Sequence, residues 1–191
     1  MSQVARLKVV LDGVEPKVVR RFEVPVTKRL SRLHTVLQIM MGWTDTHLYE
    51  FTFRGSGYGI PDPDWESDCA DARSTSLSRA INENETLSFK YLYDFGDAWS
   101  HSVKVEKIEP GIPGLSYPFL LHASGRCPPE DVGGPDGYAE FLRIIADDRH
   151  EEFHETIVWA GGTFDPNFVD LDRIEARLAA LAKRSKTTNR R

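Results

Sequence analysis

Cysteine is scarce in this chain: of 191 residues only Cys69 and Cys127 carry a thiol. Two cysteines cannot build a disulfide framework, and neither belongs to a Cys-x-x-Cys pair that would bind zinc or exchange thiols. Both are read as free thiols. Long apolar runs are missing too. Nothing approaches the roughly eighteen consecutive apolar residues of a membrane span, and the apolar run of Met1 to Leu11 carries two basic residues, unlike a signal peptide. A soluble, cytoplasmic protein without a membrane partner is expected. There is no internal repeat or low-complexity tract. The glycines at 55, 57 and 59 lack both the lysine-serine or lysine-threonine ending of a phosphate loop and the Rossmann spacing. A nucleophilic serine elbow, a local Cys-His pair and a recombinase signature are likewise missing.

What is present suffices for one core. The chain is 40% hydrophobic and no long linker divides it, so residues 1–182 are expected to form a single domain. The net charge of −5 is unevenly spread. Residues 1–42 hold eight basic and three acidic side chains, residues 183–191 hold five basic and none acidic, and the middle is left with −15. An acidic body with basic ends is a poor general DNA binder. The tail 183–191 is expected to be disordered and to offer at most weak, non-specific contact with nucleic acid.

Apolar periodicity divides the chain into strands and helices. Arg6 to Leu11 and Val18 to Val24 read as strands of an N-terminal hairpin around the Asp12-Gly13 turn signal. Leu30, Leu33, Val36, Leu37 and Met40 recur at helical spacing, with Thr27 or Ser31 as a cap and Gly42 beyond the end. His34 lies beside that stripe, where a partly buried, hydrogen-bonded ring is expected. His47, Tyr49, Phe51 and Phe53 alternate as a third strand. Gly55 to Ala72 reads as an irregular loop anchored by Trp65, and Ser76 to Ile81 as a short helical turn. Prolines and glycines punctuate 110–118 and 124–137. Three helices then follow, on the stripes Tyr138/Phe141/Leu142/Ile145, Phe153/Ile157/Ala160 and Ile174/Leu178/Leu181, the last capped by Asp170.

The chain is organised around Tyr93 to His101, Y-D-F-G-D-A-W-S-H. Leu87, Phe89, Tyr91 and Tyr93 alternate on one side of a tight acidic loop, and Trp99, His101, Val103 and Val105 on the other. A five-residue loop sets Tyr93 opposite Trp99 and Tyr91 opposite His101, which places all eight side chains on one face. These elements predict an α+β fold: a mostly antiparallel sheet, comprising the N-terminal hairpin, the third strand and the central hairpin, packed against the N-terminal helix and the C-terminal helices.

Four ordered motifs carry a resemblance: M-G-W-T-D-T-H-L-Y-E-F at 41–51, the 93–101 hairpin, G-R-C-P-P-E-D-V-G-G-P-D-G-Y at 125–138, and W-A-G-G-T-F-D-P-N-F at 159–168. Over roughly residues 5–180 the sequence resembles the Ri-plasmid ORF-three-like family, also labelled TnpR-like passenger proteins of insertion elements. The resemblance implies a sheet packed on helices and a mobile-element context, and assigns no biochemical activity.

Three constellations invite chemistry. His150-Glu151-Glu152-Phe153-His154 is a formal H-E-x-x-H, but Ile157 stands where the longer form needs glycine and Glu175 is a poor third ligand. An inert stretch is expected. Asp94, Asp97 and His101 offer a metal or acid-base set. Four extended residues nevertheless separate Asp97 from His101 by about 13 Å, and Glu106 points to the opposite face, so turn bonds around Gly96 and a core histidine are the alternative. Glu130 and Asp131 are either exposed carboxylates on a binding loop or partners of backbone amides. The first reading is a non-catalytic binding or accessory module of mobile elements, with His47, Asp94, Asp97, Trp99, His101, Glu130 and Asp131 as its candidate pocket and a protein or small molecule as partner. The alternative is a metal-dependent hydrolase using the same acidic loops and histidines. No cofactor is called for, a metal being the one group these residues admit.

Overall fold

The computed structural model describes residues 2–61 and 69–188. Trp65, expected to anchor a loop, lies outside them. The architecture is α+β, with an eight-stranded sheet of order β5-β4-β3-β6-β7-β1-β2-β8, antiparallel throughout except where β4 meets β5.

The N-terminal hairpin is β1 (Gln3–Leu11) and β2 (Val19–Pro25). The central hairpin is β6 (Ser88–Tyr93) and β7 (Trp99–Pro110), with Tyr93 opposite Trp99 and Tyr91 opposite His101, as the alternation predicts. Seven of the eight expected inward side chains are buried. Leu87 is the exception at 51% exposed, because it precedes β6 and only its carbonyl joins the sheet, accepting from Val105. β3 (Tyr49–Phe53) flanks β6 and buries Tyr49, Phe51 and Phe53. Three elements depart from expectation. The stretch after Phe53 contains β4 (Ser56–Gly59) and β5 (Ala70–Asp71), and β8 (Phe119–Ser124) closes the other edge on β2.

The two sheet faces differ in chemistry. One carries Ala5, Leu7, Val9 and Leu11 of β1 and the inward row of the central hairpin, all buried; each fully buried large apolar side chain contributes on the order of 1.5–3 kcal/mol. The other carries ion pairs such as Arg6–Glu23 at 2.7 Å, Arg21–Glu106 at 2.5 Å and Lys90–Asp12 at 2.8 Å. The two solvent-exposed pairs, Arg21–Glu106 and Lys90–Asp12, contribute about 0–1 kcal/mol each. They keep that face wet and leave the helices to the apolar one.

Helix α1 (Leu30–Met41) covers the apolar face and ends at Gly42, whose φ of 91° makes the left-handed exit. Neither Thr27 nor Ser31 caps its start. The loop before α2 (Leu77–Asn84) performs that task with backbone: the carbonyls of Thr75 and Ala72 accept from Leu30 and Ser31 N–H. α2 has its own cap, since Ser76 accepts from Arg79 N–H. At the C-terminus stand α3 (Gly134–Ile145), α4 (Phe153–Trp159) and α5 (Leu171–Thr188). Asp170 caps α5 by accepting from Arg173 N–H at 3.0 Å. α5 packs against α1 and β8 through buried Ile174 and Leu178. The expected boundary between 182 and 183 falls inside α5, so residues 183–188 continue a helix instead of starting a disordered tail.

Candidate functional site

The loops at one end of the central sheet gather the acidic residues. Between β6 and β7 the chain turns through Asp94 and Ala98, both at positive φ (57° and 54°). Aspartate tolerates this because its carboxylate bonds locally: Asp94 Oδ1 accepts from Gly96 N–H at 2.9 Å. Asp97 is turned elsewhere. Its Oδ2 accepts from Gly133 N–H at 3.1 Å, just ahead of α3, where a carboxylate complements the helix dipole. A Cβ on Gly134 would stand 2.5 Å from the Asp97 carbonyl, so glycine is what lets α3 dock this closely on the loop.

His47 lies in the bend before β3, not within the strand as its alternation suggests. It bridges two carboxylates. Nδ1 is 3.7 Å from Asp94 Oδ2, too far for a hydrogen bond, and Nε2 is 3.2 Å from Asp131 Oδ1 without hydrogen-bond alignment, a buried nitrogen with no bonded partner. The three side chains grade from buried to open, with exposures of 10% for Asp94, 30% for His47 and 71% for Asp131. One ligand atom from each lies within 4.8 Å of the others. Asp131 also adopts a positive φ of 60°, so two of the three groups sit on left-handed backbone.

Glu130 points the other way and ties loops together. It accepts from Tyr93 Oη at 2.6 Å, Thr44 N–H at 3.0 Å, Thr44 Oγ1 at 2.5 Å and Thr46 Oγ1 at 3.4 Å. Burial and then this bond to Glu130 push the Tyr93 phenol up to about 12. Thr44, Thr46 and Tyr93 carry no motif that marks them as its donors.

Trp99 and His101 lie in the core beneath this end, outside the gathered cluster. Trp99 packs beside Trp43, whose indole N–H donates to the Pro128 carbonyl at 3.0 Å. His101 is wholly buried, Nδ1 donates to the Tyr91 carbonyl at 3.0 Å, and burial lowers its pKa to about 4, leaving the ring neutral. His101 therefore joins neither acidic loop. His34 is buried as well: it stacks on Tyr49 at 3.7 Å and is held by Tyr91 Oη at 2.7 Å and Asp45 Oδ1 at 2.5 Å.

The H-E-x-x-H stretch is dismantled by the fold. α4 begins at Phe153, so His150 precedes the helix and shares no face with His154. His150 Nε2 meets Arg143 at 3.1 Å and Nδ1 accepts from Glu152 N–H at 3.2 Å, while His154 is exposed.

No helix among the described residues is long and apolar enough to cross a membrane. The family model for plasmid pRiA4b ORF-3-like protein matches residues 3–173. The uncharacterized protein y4hQ of Sinorhizobium fredii (strain NBRC 101917 / NGR234) is 52% identical over 184 residues, covering 94% of each chain. Among solved structures, a protein of unknown function from Methanosarcina mazei Go1, MM3350, superposes with a TM-score of 0.81 at 34% identity, covering 89% of this chain and 96% of its own. The span of the family match, the identity to y4hQ and the shared fold together make this chain a member of the plasmid pRiA4b ORF-3-like family.

Proposed function

We propose that the chain is a non-catalytic binding module of mobile elements that holds a divalent cation at His47, Asp94 and Asp131 and engages its partner through the surrounding acidic loops. One observation carries the reading: three loops distant in sequence bring one imidazole and two carboxylates within 4.8 Å of one another at an open edge. An imidazole with two carboxylates suits Mn²⁺ or Zn²⁺ better than a soft metal. The exposure of Asp131 leaves room for water or a partner's oxygen to complete the coordination sphere. The plasmid named in the family's description supports the mobile-element context, while the relatives lend the hydrolase alternative no support.

Isothermal titration of untagged, chelator-stripped protein with Mn²⁺ and Zn²⁺ tests the reading. One equivalent bound by the native chain and lost in His47→Ala is expected. Equal binding by both proteins, or by neither, rejects the site.

A further inference from the structure

A second site lies on the far side of the 126–130 loop. There a cleft of about 310 Å³ opens between the end of α1, that loop and the start of α5. Four arginines line it, Arg20, Arg126, Arg173 and Arg177, against two carboxylates, Glu130 and Asp170. Both carboxylates are already engaged, Glu130 by four donors of the neighbouring loops and Asp170 by the α5 amide it caps. Among the described residues none of the four guanidinium groups is paired with a carboxylate.

Arg20 sets the field of this cleft. The alternation Val18, Arg20, Phe22, Val24 turns it inward, and it is only 2% exposed. Its N–H groups all go to neutral acceptors: the carbonyls of Met40, Val19, Ser124 and Gly125, and the sulfur of Cys127. Hydrogen bonding is thus satisfied while the charge is not, and a buried charge without a counterion is costly. An anion above it lowers that cost. The groups free to touch such an anion are Arg126, Arg173 and Arg177, on two walls of the cleft.

The remaining lining is apolar and aromatic. The Arg126 guanidinium lies 4.2 Å over the Phe164 ring, Phe168 is 55% exposed, and Trp43 forms part of the floor. The volume falls at the lower end of small-molecule sites, about 300–1,000 Å³, which is more than a bare phosphate fills. Guanidinium forks match phosphate oxygens two at a time, and both aromatic faces and guanidinium planes stack on flat rings.

We infer that this cleft binds a small phosphate ester with a flat ring, of the nucleoside monophosphate class. Its phosphate sits on Arg126, Arg173 and Arg177 above the fixed charge of Arg20, and its ring lies against the exposed Phe168. The assignment is independent of the cation site.

Titration of the full chain in phosphate-free buffer with AMP, GMP and inorganic phosphate, followed by calorimetry and by thermal shift, tests it. Saturable binding of a nucleotide, tighter than that of inorganic phosphate, with a rise in melting temperature is expected. Arg20 is left in place because its removal would take the donors from four carbonyls, two of them buried. Instead Arg173→Glu/Arg177→Glu, altered at α5 positions that are not fully buried, should weaken binding by roughly tenfold or more per arginine while the free protein melts as the parent does. His47→Ala should bind the nucleotide unchanged. Nucleotide affinity unaltered by the double reversal, or lost in His47→Ala, overturns the assignment. So does inorganic phosphate binding as tightly as the nucleotide, or a duplex oligonucleotide outcompeting both.

Discussion

Two histidine–carboxylate groups in this molecule invite comparison. His150, Glu151 and His154 are adjacent in sequence and match a zinc-site pattern, yet the helix that would align them starts at Phe153 and leaves them on different surfaces. His47, Asp94 and Asp131 match no pattern, and the sheet brings their ligand atoms within 4.8 Å. A local motif is only as good as the secondary structure assumed beneath it. Here the turns closed by Asp147, which accepts from Arg149 and His150 N–H, and by the His150 carbonyl, which accepts from Phe153 N–H, postpone the helix by the few residues that matter. The second group rests on strand pairing and on the bonds of Asp94 and Glu130, which are long-range consequences of burying the central hairpin.

The largest contrast should appear in metal affinity. Asp94→Asn keeps an oxygen to accept from Gly96 N–H and so preserves the turn, but removes a charged ligand. Together with His47→Ala and Asp131→Asn it should weaken Mn²⁺ or Zn²⁺ binding by more than the roughly 10–100-fold typical of outer-shell changes. Competition against a chromogenic chelator measures this. The double variant His150→Ala/His154→Ala should match the parent in the same assay, and a reversed outcome would exchange the two groups' roles.

A further difference lies between the partly open His47 and the buried His101. The His101 ring has its pKa lowered to about 4, against about 6.5 for an unperturbed histidine. The unfolded chain therefore binds the extra proton first as pH falls. Above about 6.5 both states are neutral there and the residue adds no pH dependence; between about 6.5 and 4 stability should drop by about 3 kcal/mol in total and then level off. Buried His34, whose pKa is also lowered, acts in the same direction. Urea titrations across this window should show a shallower fall for His101→Ala than for the parent. At pH 7.5 that variant should already be about 1–3 kcal/mol less stable, from the lost bond to the Tyr91 carbonyl and poorer packing. Equal slopes would mean that His101 takes up its proton in the folded state.

These differences mark where the sequence could be read and where it could not. The central register was legible because one face is buried and the loop length is fixed, so only one pairing puts Tyr91, Tyr93, Trp99 and His101 inside. β8 was not, because Phe119–Ser124 lies at an edge with no residue fully buried and so has no alternation to show. β4, Ser-Gly-Tyr-Gly, buries just one large side chain. The caps behaved alike. Asp170 acts within one turn and could be seen, whereas α1 is capped by carbonyls some forty residues further along the chain. All three members of the His47 cluster were among the candidate residues, as were four that went elsewhere. Trp99 and His101 went to the core, where their alternation in β7 places them; for Asp97 and Glu130 the deciding factor is side-chain direction, which a loop's sequence does not encode. Arg20 escaped notice although its phase pointed inward, because a charged residue in a strand is ordinarily assigned to the wet face.

The smallest effect expected is a test of the dismantled motif. His150 lends one acceptor to Glu152 N–H and meets Arg143, which is itself engaged by Glu140 at 2.5 Å. His154 sits edge-on to Phe153 at 5.5 Å and is otherwise exposed. Neither side chain fills a buried space or satisfies a group that water could not reach. Replacing both by alanine should therefore cost no more than about 0.5 kcal/mol for each position, the ordinary range for surface substitutions. Restoration of helix propensity at 154 offsets part of that, since alanine is the better helix former. Chemical denaturation of the double variant beside the parent gives the number. A loss well above 1 kcal/mol, or stoichiometric zinc in the parent that vanishes in the double variant, would mean that α4 can extend toward His150 and assemble in solution the face that the folded chain here keeps apart.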